Sequence, residues 1–182
     1  MACTIFSDDE GKTWCVGNAV KSYHESCECK GLFKSDEQCI TESQIIVTQN
    51  DDLKIFMRNH DTCRKIATAI SKDGGYSFTD FEFNNDLTQP ICQLSVIRDE
   101  YNGKPFVLFI NPCDESERIN GTAKLSFDDG KTFPYSLNLI DGTFIYNSSV
   151  YLGNGEVAML YESSYGQIEL VKFTLQDIIN NG

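Results

Sequence analysis

Ser7-Asp8-Asp9-Glu10-Gly11-Lys12-Thr13-Trp14 returns as Ser71-Lys72-Asp73-Gly74-Gly75-Tyr76-Ser77-Phe78, and again as Ser126-Phe127-Asp128-Asp129-Gly130-Lys131-Thr132-Phe133. The shared pattern is S-x-D-x-G-x-[ST]-[WF]. It describes a self-supporting hairpin turn. The Asp accepts hydrogen bonds from turn amides, the Gly tolerates positive φ, and the Ser or Thr hydroxyl ties the two sides. The terminal aromatic is expected to anchor the turn in a sheet. A single D-x-G turn is common, but three copies ending on an aromatic mark a repeated hairpin. The copies begin at 7, 71 and 126, so the periods are 64 and 55 residues. About 60 residues hold four strands of five to six residues with their connections. Four-stranded units repeated radially are propeller blades, so 182 residues hold about three of the four to eight that close a ring. The expectation is an all-β partial propeller, the later part of a ring whose opening is not in this sequence.

The rest of the chain agrees with that class. Short apolar, β-branched runs bounded by Gly, Asp and Asn lie at 43–48, 53–57, 66–70, 93–97, 105–110, 122–127, 156–161 and 167–173. Only 175–179 reads as a helical turn, and no βαβ alternation is present. Fifteen Lys and Arg against 27 Asp and Glu give a net charge of −12, which argues against nucleic acid and anionic membrane surfaces as partners. No apolar stretch is long enough to span a bilayer, and the first residues show no basic segment leading an apolar run. The eight cysteines leave three readings open: disulfides, half-buried free thiols, or zinc at His24, Cys27, Cys29 and Cys39. The C-x-C spacing and a total of two histidines disfavour zinc.

The repeated turn is similar to the Asp box, and the intervening segments narrow the resemblance. Ile40-Thr41-Glu42-Ser43-Gln44-Ile45-Ile46 followed by Phe56-Met57-Arg58-Asn59 resembles the middle of an exo-α-sialidase. So do Gln89-Pro90-Ile91-Cys92-Gln93, then Phe109-Ile110-Asn111-Pro112 and Arg118, and Tyr146 followed by Met159-Leu160-Tyr161-Glu162. The resemblance covers residues 1–182 as a single partial domain, the C-terminal half of a six-bladed propeller. It implies hydrolysis of terminal α-linked sialic acids on glycoproteins, gangliosides and oligosaccharides, with retention and without a cofactor or metal. Tyr146 then matches the nucleophile and Glu42 its acid/base partner. Arg58 and Arg118 match two of the three arginines that clamp the substrate carboxylate, and Glu162 the acid that orients the third.

That third arginine and the aspartate serving the leaving group belong to the N-terminal half of the family. The chain alone is therefore expected to have little activity, and the missing half is an expected partner beside sialylated glycans. A non-catalytic propeller fragment that binds glycans or proteins is the alternative. The resemblance implies a lysosomal, membrane-associated or extracellular location and leaves the cytoplasm open.

The residue types suit that chemistry. Sialic acid carries its carboxylate on the anomeric carbon, which repels an anionic nucleophile. A neutral phenol is not repelled, but a free tyrosine titrates near pH ~10 and attacks poorly until a neighbouring carboxylate takes its proton. Tyrosine sialidases are a recognised exception to the two-carboxylate scheme. Arginine's planar fork grips a carboxylate through two parallel hydrogen bonds. Sequons stand at Asn120 and Asn147, and a glycan on Asn147 would sit beside Tyr146.

Overall fold

The computed structural model describes residues 2–20, 40–60 and 63–181. Its strands form four antiparallel sheets in chain order. β1 (Ile5–Phe6) and β2 (Cys15–Val16) make a short ribbon. The first full sheet holds β3 (Ile40–Val47), β4 (Leu53–Asn59), β5 (Lys65–Ser71) and β6 (Glu82–Thr88). The second holds β7 (Ser95–Tyr101), β8 (Lys104–Pro112), β9 (Ile119–Ser126) and β10 (Tyr135–Thr143). The third holds β11 (Asn147–Gly153), β12 (Glu156–Ser164) and β13 (Gln167–Thr174). The first strands meet: β7 touches both β3 and β11. This is the all-β partial propeller expected from the repeats. Among the described residues two sheets have four strands, one has three, and a two-strand ribbon precedes them.

The alternation of side chains explains why the sheets stack. In β8, Phe106, Leu108 and Ile110 enter the core shared with the third sheet, while Val107 and Phe109 enter the core shared with the first. In β4, Phe56 joins that second core, while Ile55 and Met57 face the opposite side with Ala2 and Val20. Strands buried on both faces read as near-continuous apolar runs, as 105–110 does and as 53–57 does apart from Lys54. Phe109 packs its ring 6.1 Å from Phe56 and 5.9 Å from Phe133.

Helix α1 (Leu175–Asn180) closes the described chain. Thr174 caps it: its hydroxyl accepts from Asp177 N at 3.1 Å, and Asp177 Oδ2 accepts from Thr174 N at 2.9 Å. Leu175 and Ile178 are buried in the core under the third sheet.

The three turns share one hydrogen-bond scheme. Asp9 Oδ1 accepts from Thr13 N at 2.8 Å and Oδ2 from the Thr13 hydroxyl at 2.7 Å, while Ser7 Oγ accepts from Gly11 N at 2.7 Å. Asp128 repeats it with Thr132 at 3.0 and 2.7 Å, and Asp73 repeats it with Ser77. The aromatic ends differ. Phe133 is buried and Phe78 packs against the first sheet, but Trp14 is 62% exposed and only its Nε1 donates, to Gly11 O at 3.2 Å. Among the described residues the ribbon has two strands and offers Trp14 no sheet face to enter.

Hydrogen bonds from the Ser77 hydroxyl, the Ser77 amide and Ser71 pull Asp73 down to about 2. Asp9 is lowered chiefly by the Thr13 amide. Asp128 is lowered as well: burial opposes this, but the Thr132 amide and the Ser126 and Thr132 hydroxyls together prevail. A carboxyl whose folded value lies below its unfolded one stabilises the fold above the unfolded value and loses that contribution as pH falls through the folded one. For Asp73 the window runs from 3.8 down to about 2. Thermal unfolding followed by circular dichroism should show Tm falling across that window, with a shallower fall in Asp73→Asn.

Candidate active site

Glu42 lies on β3, Arg58 on β4, Arg118 just before β9, Tyr146 just before β11 and Glu162 on β12. Glu42, Arg118 and Tyr146 stand at or just before the start of their strands, and Arg58 and Glu162 near the end of theirs. Arg58 Nη1 donates to Glu42 Oε2 at 2.7 Å and to Tyr146 Oη at 3.5 Å. Tyr146 Oη donates to Glu42 Oε1 at 3.1 Å, across 104 positions of sequence. The three side chains therefore close a triangle. The Arg118 guanidinium stands 5.7 Å from the centre of the Tyr146 ring, within cation–π range, and donates through Nη2 to Ile91 O at 3.3 Å.

Glu162 is joined to Tyr146 through the backbone. Glu162 N donates to Tyr146 O at 2.9 Å, and Ile145 N donates to Glu162 O at 3.0 Å. The Tyr146 and Glu162 side chains line a cavity of about 340 Å³ with Gln93, Leu160 and Ile168. A second cavity of about 550 Å³ lies elsewhere, among Lys54, Lys72, Glu82 and Asp129. Its Lys54 is already committed to Asp129 O at 3.2 Å and Gly130 O at 2.6 Å.

Burial works against the charge on Arg58, but the hydrogen bond and charge of Glu42, followed by those of Tyr146, raise it above its ordinary value. The guanidinium is therefore a permanent cation in the triangle. Burial, and then the Arg58 charge, lower His60, which pairs its Nε2 with Thr41 Oγ1 at 3.2 Å. His60 is half-buried next to Arg58. No periodic pattern marks it, because its place follows from where β4 ends.

Asn147 is 6% exposed, and its Nδ2 contacts Gln93 Oε1 at 3.3 Å. A glycan there has no room. Among the described residues Cys3, Cys15, Cys63, Cys92 and Cys113 are free thiols, and no cluster of three or more His, Cys, Asp or Glu is arranged to hold a metal. The candidate zinc group at His24, Cys27, Cys29 and Cys39 lies outside the described residues. No helix among the described residues is long and apolar enough to cross a membrane. Burial pushes the Cys92 thiol up, and the Arg118 charge offsets this only in part. Alkylation with iodoacetamide read by mass spectrometry should modify exposed Cys3, Cys15 and Cys63 at least about tenfold faster than Cys92.

Successive antiparallel sheets with an Arg–Glu–Tyr cluster where their first strands meet define a class, the partial β-propeller with an axial polar site. The family model of the BNR repeat-like domain matches residues 1–164, so the chain belongs to the sialidase/BNR-repeat family. It is 28% identical over 181 residues to a sialidase of Micromonospora viridifaciens, covering 96% of this chain and 25% of that one. A sialidase of Bacteroides fragilis is 28% identical over 183 residues, with 96% and 30% covered. The solved structure of the Hadza microbial sialidase Hz136 superposes with a TM-score of 0.78 at 30% identity, covering 96% of this chain and 32% of that one. The chain thus spans about a quarter to a third of the length of these relatives.

Proposed function

We propose that this chain carries the nucleophile side of an exo-α-sialidase site and that its three repeated turns are Asp boxes. The observation that carries the reading is the triangle of Tyr146, Glu42 and Arg58, with Oη–Oε1, Nη1–Oε2 and Nη1–Oη at 3.1, 2.7 and 3.5 Å. The Tyr146 hydroxyl already directs its proton at Glu42. Tyr146 Oη attacks the anomeric carbon of a terminal α-linked sialic acid while Glu42 takes the phenolic proton, and the aglycone oxygen leaves as it takes a proton from the leaving-group acid of the other half. Water then attacks the anomeric carbon and gives its proton to that same acid, now a base, while Glu42 returns its proton to the departing Tyr146 oxygen, so configuration is retained. Arg58 and Arg118 hold the sugar carboxylate, and Glu162 orients a further arginine. The substrates are sialylated glycoproteins, gangliosides and oligosaccharides.

The third sheet supports a partner for this half-site. One face of it presents Val150, Leu152, Leu160, Ile168 and Leu170, all at least 48% exposed. The equivalent face of each preceding sheet is covered by the next sheet. The N-terminal half of a propeller fits there and brings the third arginine and the leaving-group acid. Without it, turnover by the 182-residue chain falls short by about 10²–10⁴-fold for want of a positioned proton donor.

Titration of the chain with the 2,3-unsaturated analogue of sialic acid, followed by calorimetry, tests the reading. Binding that weakens about tenfold or more in Arg118→Ala is expected, since a charge-assisted contact contributes about 1.5–3 kcal/mol. Absence of binding, or binding indifferent to Arg118, favours the non-catalytic fragment.

A further inference from the structure

The crossing 89–93, which leads from β6 to β7, grips the site from behind. Gln89 is fully buried; its Nε2 donates to Asn59 O at 2.7 Å, next to Arg58, and its Oε1 accepts from Cys92 N at 3.2 Å. Ile91 O accepts from Arg118 at 3.3 Å. Cys92 Sγ donates to Ile145 O at 3.1 Å, on one side of Tyr146. On the other side, Gln93 Oε1 accepts from Asn147 N at 3.0 Å and Gln93 Nε2 donates to Asn147 O at 2.9 Å.

The Gln93 amide thus meets both backbone groups of Asn147, as a neighbouring strand would. Ile91 holds φ +59. A β-branched residue rarely adopts that region, and such outliers persist only where the surroundings impose them. Here the left-handed turn is what aims the Ile91 carbonyl at Arg118 while the next two side chains reach the Tyr146 loop.

We propose that Gln93 is a positioning residue for Tyr146, and that the crossing 89–93 locks Arg58, Arg118 and Tyr146 into one rigid constellation before a ligand arrives. The role assigned to Tyr146 rests on the sialidase reading, but the positioning itself does not. Sites held by supporting hydrogen bonds keep the geometry that chemistry needs.

The test uses the full chain labelled with [13Cζ]tyrosine, with the Tyr146 resonance identified by its loss in Tyr146→Phe. In Gln93→Leu the Asn147 amide should exchange roughly tenfold faster. The Tyr146 Cζ resonance should move toward its position in Glu42→Ala, where the hydroxyl has lost its acceptor. Gln93→Glu keeps the acceptor for Asn147 N and loses the donor to Asn147 O, so it should fall between the wild type and Gln93→Leu. It also serves as the test variant if Gln93→Leu does not fold.

A purely structural glutamine would lower Tm and leave the Tyr146 resonance in place; that result overturns the proposal. Calorimetry with the 2,3-unsaturated sialic acid separates the two readings. If Gln93→Leu displaces Tyr146 while the wild-type chain ignores the sugar, positioning stands and the sialidase reading falls. If the chain binds the sugar and both Gln93 variants leave Tyr146 and the Asn147 exchange unchanged, positioning falls alone.

Discussion

Gly121→Ala is expected to destabilise the protein by about 3 kcal/mol and to disturb the site with it. A Cβ at position 121 would meet the Phe144 ring, with Cγ at 2.6 Å and Cε2 at 2.7 Å. Those are ring atoms of a fully buried phenylalanine stacked on Tyr161 at 5.1 Å, so the ring cannot swing aside as the tip of a flexible chain would. Phe144 also donates its backbone N to Arg118 O at 2.8 Å and stands two residues before Tyr146. Pushing the ring away therefore moves the segment that carries Tyr146 relative to Arg118. For a chain of this size, 3 kcal/mol corresponds to a Tm lower by about 6–12 °C. Calorimetric unfolding measures it. The double variant Gly121→Ala/Phe144→Leu should recover part of the loss, because the two changes share one volume. A Gly121→Ala protein with wild-type Tm would mean that the β9 backbone yields at no cost.

Tyr146→Phe is expected to lower sialoside hydrolysis by about 10²–10⁴-fold, in kcat rather than KM. Only the hydroxyl is removed, and with it go the oxygen proposed to attack and the proton it donates to Glu42. Tyr146 is 37% exposed, so the fold should lose no more than about 1 kcal/mol. Glu42→Gln keeps an oxygen near the phenol but cannot take its proton, and its loss should be of the same order. The double variant should be little worse than either single one, since the pair acts as a unit. The assay uses a fluorogenic sialoside whose leaving group departs without a proton donor. Hydrolysis by Tyr146→Phe at the wild-type rate removes the tyrosine from the mechanism.

The strands that were legible in the sequence are those with a buried face on each side or one strongly apolar face, such as β4, β5 and β8. β6, Glu-Phe-Asn-Asn-Asp-Leu-Thr, and β10 escaped detection because they are the outermost strands of their sheets, and β10 has no fully buried residue. β11 escaped because it lines the junction, where polar residues such as Ser148 and Ser149 are tolerated. In the candidate site, Glu42, Arg58, Arg118, Tyr146 and Glu162 were singled out through resemblance; Gln89, Cys92 and Gln93 belonged to a segment of the same resemblance that assigned them no role, and His60 carried no pattern at all.

Residue order alone determined the β class, the radial repeat and the turn chemistry. Each of those is local: an Asp reaching amides four positions on, or an apolar run filling the two faces of one strand. The meeting of Glu42 with Tyr146, the exposure of Trp14, the burial of Asn147 and the left-handed Ile91 were decided only by the stacking of sheets. Those features depend on which backbone ends the packed cores bring together, and a cross-sheet distance has no period in the chain from which it can be read.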